Sequence, residues 1–493
     1  MHCNEETAAT GISPNFPDRQ VPSADAAFLA EPRPMLGLPE AVAIIVCVVI
    51  GAGIFKAPSM VAAFSGSPTV MFSAWILGGL VSLIGALCYA ELATSYPHVG
   101  GDYHFLQRAF GRPVSLLFAW ARLSVITTGS IALLGFVFGD YLTAIVPVPG
   151  LSESGSAAVY AALVIVMLTW VNMRGLATGA GTQIWLTLLE VGGLLLVVGA
   201  AISLGSTPGE MVAAAAAPTP TPTPTSALPV SFGLAMVFVL LTYGGWNEAA
   251  YISAELREPK RNMVRALVLS IGVITALYLL VTWAYWYGLG MQGMAQSKAI
   301  AADLLRRAFG TTGELVISLL VAVAALTSIN ATMIVGARTS YALGRDWQPL
   351  RALGRWDRQR GTPPTALRVQ CFAALLLVLI GFVAGSGFTA MVEFTAPVFW
   401  LFFFLSGVSL FVLRRKEPLR ARPFSVPLYP LLPLVFCLVC AYMLWSSLAH
   451  VAGQKFAGVN AGWISVGVLA LGAIPLWLMR RHVEPTTSAQ LPK

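Results

Sequence analysis

Charge is what this sequence of 493 residues has least of: 11% of it is Asp, Glu, Lys or Arg, against about 25% in an average soluble domain. That shortage excludes an ordinary soluble enzyme. Cysteine is scarce too. Cys47, Cys88, Cys371, Cys437 and Cys440 sit inside apolar runs and Cys3 lies near the start, so no spacing suggests a disulfide framework or a zinc site. There is no HExxH, no phosphate loop and no nucleophile elbow, and His2, His98, His104, His450 and His482 show no ligand spacing. No metal, cofactor or catalytic centre is therefore expected. The first 36 residues carry Glu5, Glu6, Asp18, Asp25 and Glu31 and lack the basic-then-apolar order of a secretory signal. They are expected to form a disordered cytoplasmic tail.

What the chain has in abundance is apolar length: 57% of its residues are hydrophobic and its mean hydropathy is +0.76. A spanning helix needs about 20 apolar residues at about 1.5 Å each, and about twelve such runs recur. They lie near 38–64, 69–93, 113–141, 155–172, 181–203, 230–254, 265–289, 313–342, 365–385, 389–413, 428–450 and 459–479. None alternates apolar and polar residues as a barrel strand would. The expectation is an all-α integral membrane protein of about 12 transmembrane helices, with the lipid bilayer as its surroundings.

The net charge of +8 then bears on topology rather than on nucleic acid, which is not expected as a partner. With the N-terminus inside, 24 of the 30 basic residues fall on the interior side; Lys298, Arg306, Arg307 and Lys455 fall outside, and Lys56 and Arg122 within spans. Both termini are thus expected in the cytoplasm, with the chain in the plasma membrane. The Ala, Thr and Pro stretch from Ser206 to Pro229, with its PTPTPTPT, reads as an extended external linker between two halves. Residues 290–312 place Lys298, Asp303, Arg306 and Arg307 beside Ile300, Leu304 and Leu305, the pattern of an amphipathic helix on the outer face.

Two runs are interrupted at corresponding depths. The first reads IIVCVVIGAGIFKAP, with Gly51 and Gly53 in its middle and Pro58 just beyond; the sixth reads VFVLLTYGGWNEAAY, with Gly244 and Gly245. Glycine costs about 1 kcal/mol relative to Ala inside a helix, and each peptide group left unpaired in hydrocarbon costs several more. Such breaks persist where they line a cavity: freed amides can hold a carboxylate and freed carbonyls an ammonium group. Close helix packing is the plainer use of glycines in a span. One break in each half is instead the pattern of an inverted-repeat transporter.

At these residues the sequence resembles the amino acid-polyamine-organocation superfamily, and within it the bacterial permeases related to the L-type exchangers, over nearly all of 38–478. GAGIF at 51–55 is similar to that family's G(S/A)GIF signature. YGGWN at 243–247 followed by SAELREPKRNMVRAL at 253–267 resembles its sixth span and following loop. ARTSYALGRD at 337–346 and RPFSVPLYPLLPLVF at 422–436 resemble its eighth-span end and eleventh-span start. The resemblance implies a five-plus-five inverted repeat, spans 1–5 in 37–204 and 6–10 in 230–413, with peripheral spans in 414–479 and a cytoplasmic tail from 480. It also implies alternating access. Carried over by position, the backbone of Gly51, Ala52 and Gly53 would take the substrate carboxylate. Ile54, Tyr243, Gly244, Gly245, Trp246 and Asn247 would line the amino and side-chain end, with Trp246 similar to a gating aromatic.

Ionisable groups inside spans are expensive, and each is a functional candidate. Here they are Lys56, Arg122, Glu190, Glu248 and Glu393, the last beginning the tenth span and read as interfacial; Glu91, Asp140 and Glu255 lie nearer the interfaces, where a solvated or snorkelling role is the expectation. Glu190 stands where the resemblance would place a lysine in many sodium-independent members. It either binds a proton or pairs with a cation such as Arg122 or Lys56, the pair being the preferred reading. Glu248, just past the second break, would cap the half-helix or reach a positive group. The functional expectation is a secondary transporter of amino acids, a symporter or exchanger using a proton or counter-substrate. A receptor binding amino acids without flux, or a polyamine permease, is the alternative.

Overall fold

The computed structural model describes residues 37–96, 101–175, 180–205, 228–247, 259–347, 350–357, 359–385 and 387–453, with 455–456, 459–460 and positions 467, 470 and 472 beyond them. The architecture is almost wholly helical. In chain order the helices are α1 (Leu38–Val49), α2 (Ala57–Ser65), α3 (Pro68–Ser95), α4 (Asp102–Phe110), α5 (Arg112–Ile145), α6 (Glu153–Met173), α7 (Ala180–Ser203), α8 (Leu228–Thr242), α9 (Pro259–Gln296), α10 (Ile300–Asp346), α11 (Pro364–Val383), α12 (Gly387–Lys416) and α13 (Leu431–Gly453). A two-residue antiparallel ribbon, Lys455–Phe456 with Val459–Asn460, follows.

Local chemistry sets the boundaries. The Ser67 hydroxyl accepts from the Val70 amide ahead of Pro68, and Ser152 does the same for Gly155. Both are helix starts with a capping oxygen satisfying one orphan donor. Within α5 the backbone widens into a π-type turn at Arg122–Ile126, a local bulge that interrupts an otherwise regular span. Among the described residues eight helices are long and apolar enough to cross a membrane. The other expected crossings fall short for identifiable reasons. The first and sixth are broken, the apolar stretch described in the fifth is Leu188–Ser203, and the twelfth lies almost entirely outside the described residues.

Lipid-type burial is visible in the side chains. Leu80, Leu163, Ile202, Phe372, Leu379 and Leu438 are each more than half exposed, a disposition stable only if those helix faces meet hydrocarbon. The centre is instead closed by aromatics, among them Trp75, Tyr89, Tyr141, Tyr243, Tyr278, Phe55 and Phe238. Small residues let the helices approach: a Cβ on Gly85 of α3 would sit 2.7 Å from the Trp246 ring, so this glycine makes the seat for that indole.

The amphipathic stretch expected at 290–312 is present, with a correction to its placement. Backbone breaks at Gly290 and Gly310 set off a short segment. Its Ile300, Ala301, Leu304 and Leu305 are fully buried against the protein, while Asp303, Arg306 and Arg307 are exposed. Its apolar stripe therefore covers the helix bundle rather than lipid.

Candidate functional site

The first span is interrupted where GAGIF predicts. After Val49 the backbone turns extended through Ile50 and Gly51, winds a single tight turn at Ala52–Phe55, and resumes as α2 behind Lys56 and Pro58. Three amides, those of Gly51, Ala52 and Gly53, find no acceptor among the described residues. The second break follows Thr242, where Tyr243 to Gly245 form a turn and Gly245 takes φ 100°, a region that residues with a Cβ rarely enter. The two breaks lie against each other: a Cβ on Gly53 would be 3.6 Å from the Thr242 Cα. Helix α10 backs the first break, with the Ser328 hydroxyl 3.6 Å from the same position on Gly51.

The structure thus brings Gly51, Ala52, Gly53 and Ile54 together with Tyr243, Gly244 and Gly245. Ala52, Ile54 and Tyr243 are at most 1% exposed, while Gly51, Gly53, Gly244 and Gly245 are half-buried. Trp246 packs among α3, α12 and α13. It stacks edge-on to Tyr89 (5.3 Å) and Phe436 (5.8 Å) and lies tilted against Phe403 (5.1 Å). Asn247 is half-buried beside it. Glu248 and Glu255 lie outside the described residues.

Tyrosine hydroxyls serve the carbonyls that the breaks set free. Tyr141 of α5 donates to the Phe55 carbonyl at 2.5 Å and accepts from the Ala301 amide at 3.2 Å. Tyr278 of α9 lies 3.2 Å from the Val49 carbonyl and 3.2 Å from that of Thr242. Sequence reasoning missed both; the one signal is that a buried tyrosine hydroxyl needs a partner.

The expected pairing of Glu190 is corrected by the geometry. Lys56 sits in a non-helical conformation between the tight turn and α2, which aims its side chain at α5. Its ammonium meets Asp140 at 2.6 Å, donates to the Lys298 carbonyl, and lies 5.7 Å over the Phe388 ring. Asp140, expected to be solvated or snorkelling, is instead this half-buried partner. Lys298 in turn meets Glu153 at 2.8 Å. Arg122, half-buried on the π-type turn, pairs with no carboxylate among the described residues. Glu190 is 5% exposed, hydrogen-bonds with the Thr327 side chain, and has no cation partner among the described residues.

Among the other acids, Glu91 departs from expectation. It is 2% exposed, not solvated. It takes a two-pronged contact from Arg414 (2.7 and 2.6 Å), has Arg422 at 3.6 Å and accepts from the Val426 amide, partners enough to satisfy a buried carboxylate. Glu393 meets His450 at 2.7 Å beside a small cavity lined by Phe64, Phe238 and Val392. Beyond the span, Glu417 accepts from Arg108 at 2.7 Å and from Arg420 at 3.2 Å. The Arg108 guanidinium holds that carboxyl below the usual carboxylate range, against a weaker opposing effect of burial.

Residues 36–472 match the family described as "Amino acid permease". Three curated relatives are similar over most of their length. The Asc-type amino acid transporter 1 of Mus musculus is 28% identical over 435 residues, covering 88% of this chain and 79% of the relative. The b(0,+)-type amino acid transporter 1 of Mus musculus is 29% identical over 412 residues, covering 83% and 81%. The large neutral amino acids transporter small subunit 2 of Homo sapiens is 29% identical over 417 residues, covering 84% and 75%.

Proposed function

Because the chain belongs to the amino acid permease family, and is a transporter rather than an enzyme, we propose that it carries amino acids across the membrane by alternating access around the two opposed helix breaks. The observation that carries this reading is the trio of amides at Gly51, Ala52 and Gly53, without acceptors among the described residues, in a break that lies against the second one at Thr242. Amides and the positive end of a half-helix suit a carboxylate; carbonyls suit an ammonium group. An α-amino acid carries both at fixed separation.

The finer architecture in this reading is twelve spans, ten of them in two inverted repeats, with the end that carries Arg414, Arg420 and Arg422 facing the cytoplasm of a bacterial plasma membrane. The Lys56 to Asp140 pair then lies at the outer end and shuts it. Breaking that pair accompanies outward opening. Trp246 closes the inner side. Glu190, buried without a cation among the described residues, is the proton carrier, since an unpaired intramembrane carboxylate is a functional group by default. Glu248 remains proposed as a contact for the substrate's positive end, and Arg122 as a gating residue.

Uptake of a labelled amino acid into vesicles, challenged by a panel of unlabelled amino acids and polyamines at two pH values, tests the assignment. Competition by α-amino acids is expected, with uptake rising as the outer pH falls; competition by polyamines alone would overturn it. Glu190→Gln should abolish the pH response while leaving exchange intact. An unchanged response removes Glu190 from the coupling role.

A further inference from the structure

We infer that Tyr278 is a positioning residue for the ammonium end of the substrate: its hydroxyl ties the last carbonyl before each break to one point on α9 and so sets the spacing between the two carbonyl-bearing segments. The inference rests on the amino acid reading above.

Val49 ends α1 and Thr242 ends α8, so each contributes a carbonyl that no helical amide can satisfy. The Tyr278 hydroxyl lies 3.2 Å from both. Capping one helix would need one short contact, with O–H···O distances near 2.7 to 2.8 Å. Equal, longer distances to two acceptors are instead the geometry of a bridge. One hydroxyl hydrogen serves the pair, and each carbonyl oxygen keeps acceptor capacity, having two lone pairs. An ammonium group with three donors can use what remains on both oxygens only if they stay at a fixed separation.

The bridge is itself held rigidly. Tyr278 is fully buried, its ring edge-on to Trp75 (5.6 Å) and to Tyr243 (5.1 Å). The Tyr243 hydroxyl donates to the Trp75 carbonyl at 3.1 Å. Helix α3 thereby fixes the ring, the ring fixes the hydroxyl, and the hydroxyl fixes both break carbonyls. Two segments far apart in the chain are joined through a third helix that sequence spacing does not implicate.

The test compares inhibition constants in vesicles for the preferred amino acid, its deaminated acid and its N-methyl derivative, using wild type, Tyr278→Phe and Tyr285→Phe. Tyr285 lies on the same helix, is fully buried, and its hydroxyl has no partner among the described residues; its variant makes the same chemical change away from the breaks. Tyr278→Phe should weaken the amino acid about tenfold and leave the deaminated acid nearly unchanged, so that discrimination between them collapses, as does the penalty on N-methylation. Tyr285→Phe should keep the wild-type ratios. Equal weakening of all three compounds by Tyr278→Phe, or wild-type ratios in it, overturns the inference. Ratios do not depend on how much protein folds; should Tyr278→Phe yield none, Tyr278→Met removes the same donor and is read the same way. If no amino acid inhibits the wild type at all, the transport assignment fails instead.

Discussion

At the scale of single residues, the most consequential contact is Lys56 with Asp140. Lys56 is withdrawn from water and Asp140 largely so, and their attraction must offset that desolvation. The carbonyl of Lys298 and the Phe388 ring add to the ammonium's coordination. Removing one partner leaves the other buried and unpaired, at about 3–5 kcal/mol. Lys56→Met or Asp140→Asn alone should therefore lower the thermal midpoint sharply, and the double variant should recover much of the loss. Thermal unfolding of the four proteins checks this; additive losses would show that the two charges do not depend on each other. Which acid Lys56 would choose was not legible in the sequence. Asp140 and Glu190 are both single carboxylates in apolar runs, and the choice follows from the side-chain direction imposed by a non-helical residue after the break. The same limit hid Tyr278, whose partners are backbone atoms of two other helices.

At the scale of elements, the breaks themselves were legible, because glycine pairs at matching depth in two apolar runs violate helix economy in hydrocarbon and need a reason. Their contact with each other was not, since it depends on how α2, α8 and α9 pack. Gly245 at φ 100° is the position where the turn is least tolerant of a side chain. Gly245→Ala should cost about 1–2 kcal/mol in backbone strain and lower substrate affinity with it, measured as a lower melting temperature and a weaker inhibition constant. An alanine variant indistinguishable from wild type would mean that the turn relaxes without consequence. The amphipathic segment shows the complementary case. Its periodicity was readable, but an apolar stripe of that length fits lipid or protein equally well until its neighbours are known.

At the scale of the whole molecule, the two ends are clasped by different chemistry. One end is held by the Lys56 to Asp140 pair and the covering segment at 300–309; the other by Arg414 on Glu91 and by Glu417 between Arg108 and Arg420. Within the second clasp the Glu417 pairs are partly exposed, so their contribution is small, about 0–1 kcal/mol for a surface pair. The sign of its pH dependence is fixed all the same. The Glu417 pKa is depressed in the folded protein, so its contribution is present above the unfolded carboxylate value of about 4.3 and is lost as pH falls through the lower folded value. Glu417→Gln should melt slightly below wild type at neutral pH and match it in acid; a gap that widens in acid would reverse the assignment.

The all-helical, multi-pass membrane character was legible because hydrocarbon imposes length and composition on every crossing. The ion pairs at the two ends were not, because they are contacts between segments far apart in the chain. Those pairs bear on the central claim, that two facing helix breaks clasp one zwitterion and expose it to either side in turn. Counterflow in proteoliposomes tests it most directly: with unlabelled amino acid trapped inside, labelled amino acid added outside should accumulate transiently above its external concentration and then decline. Labelled amino acid that binds saturably yet never rises above that level would contradict it.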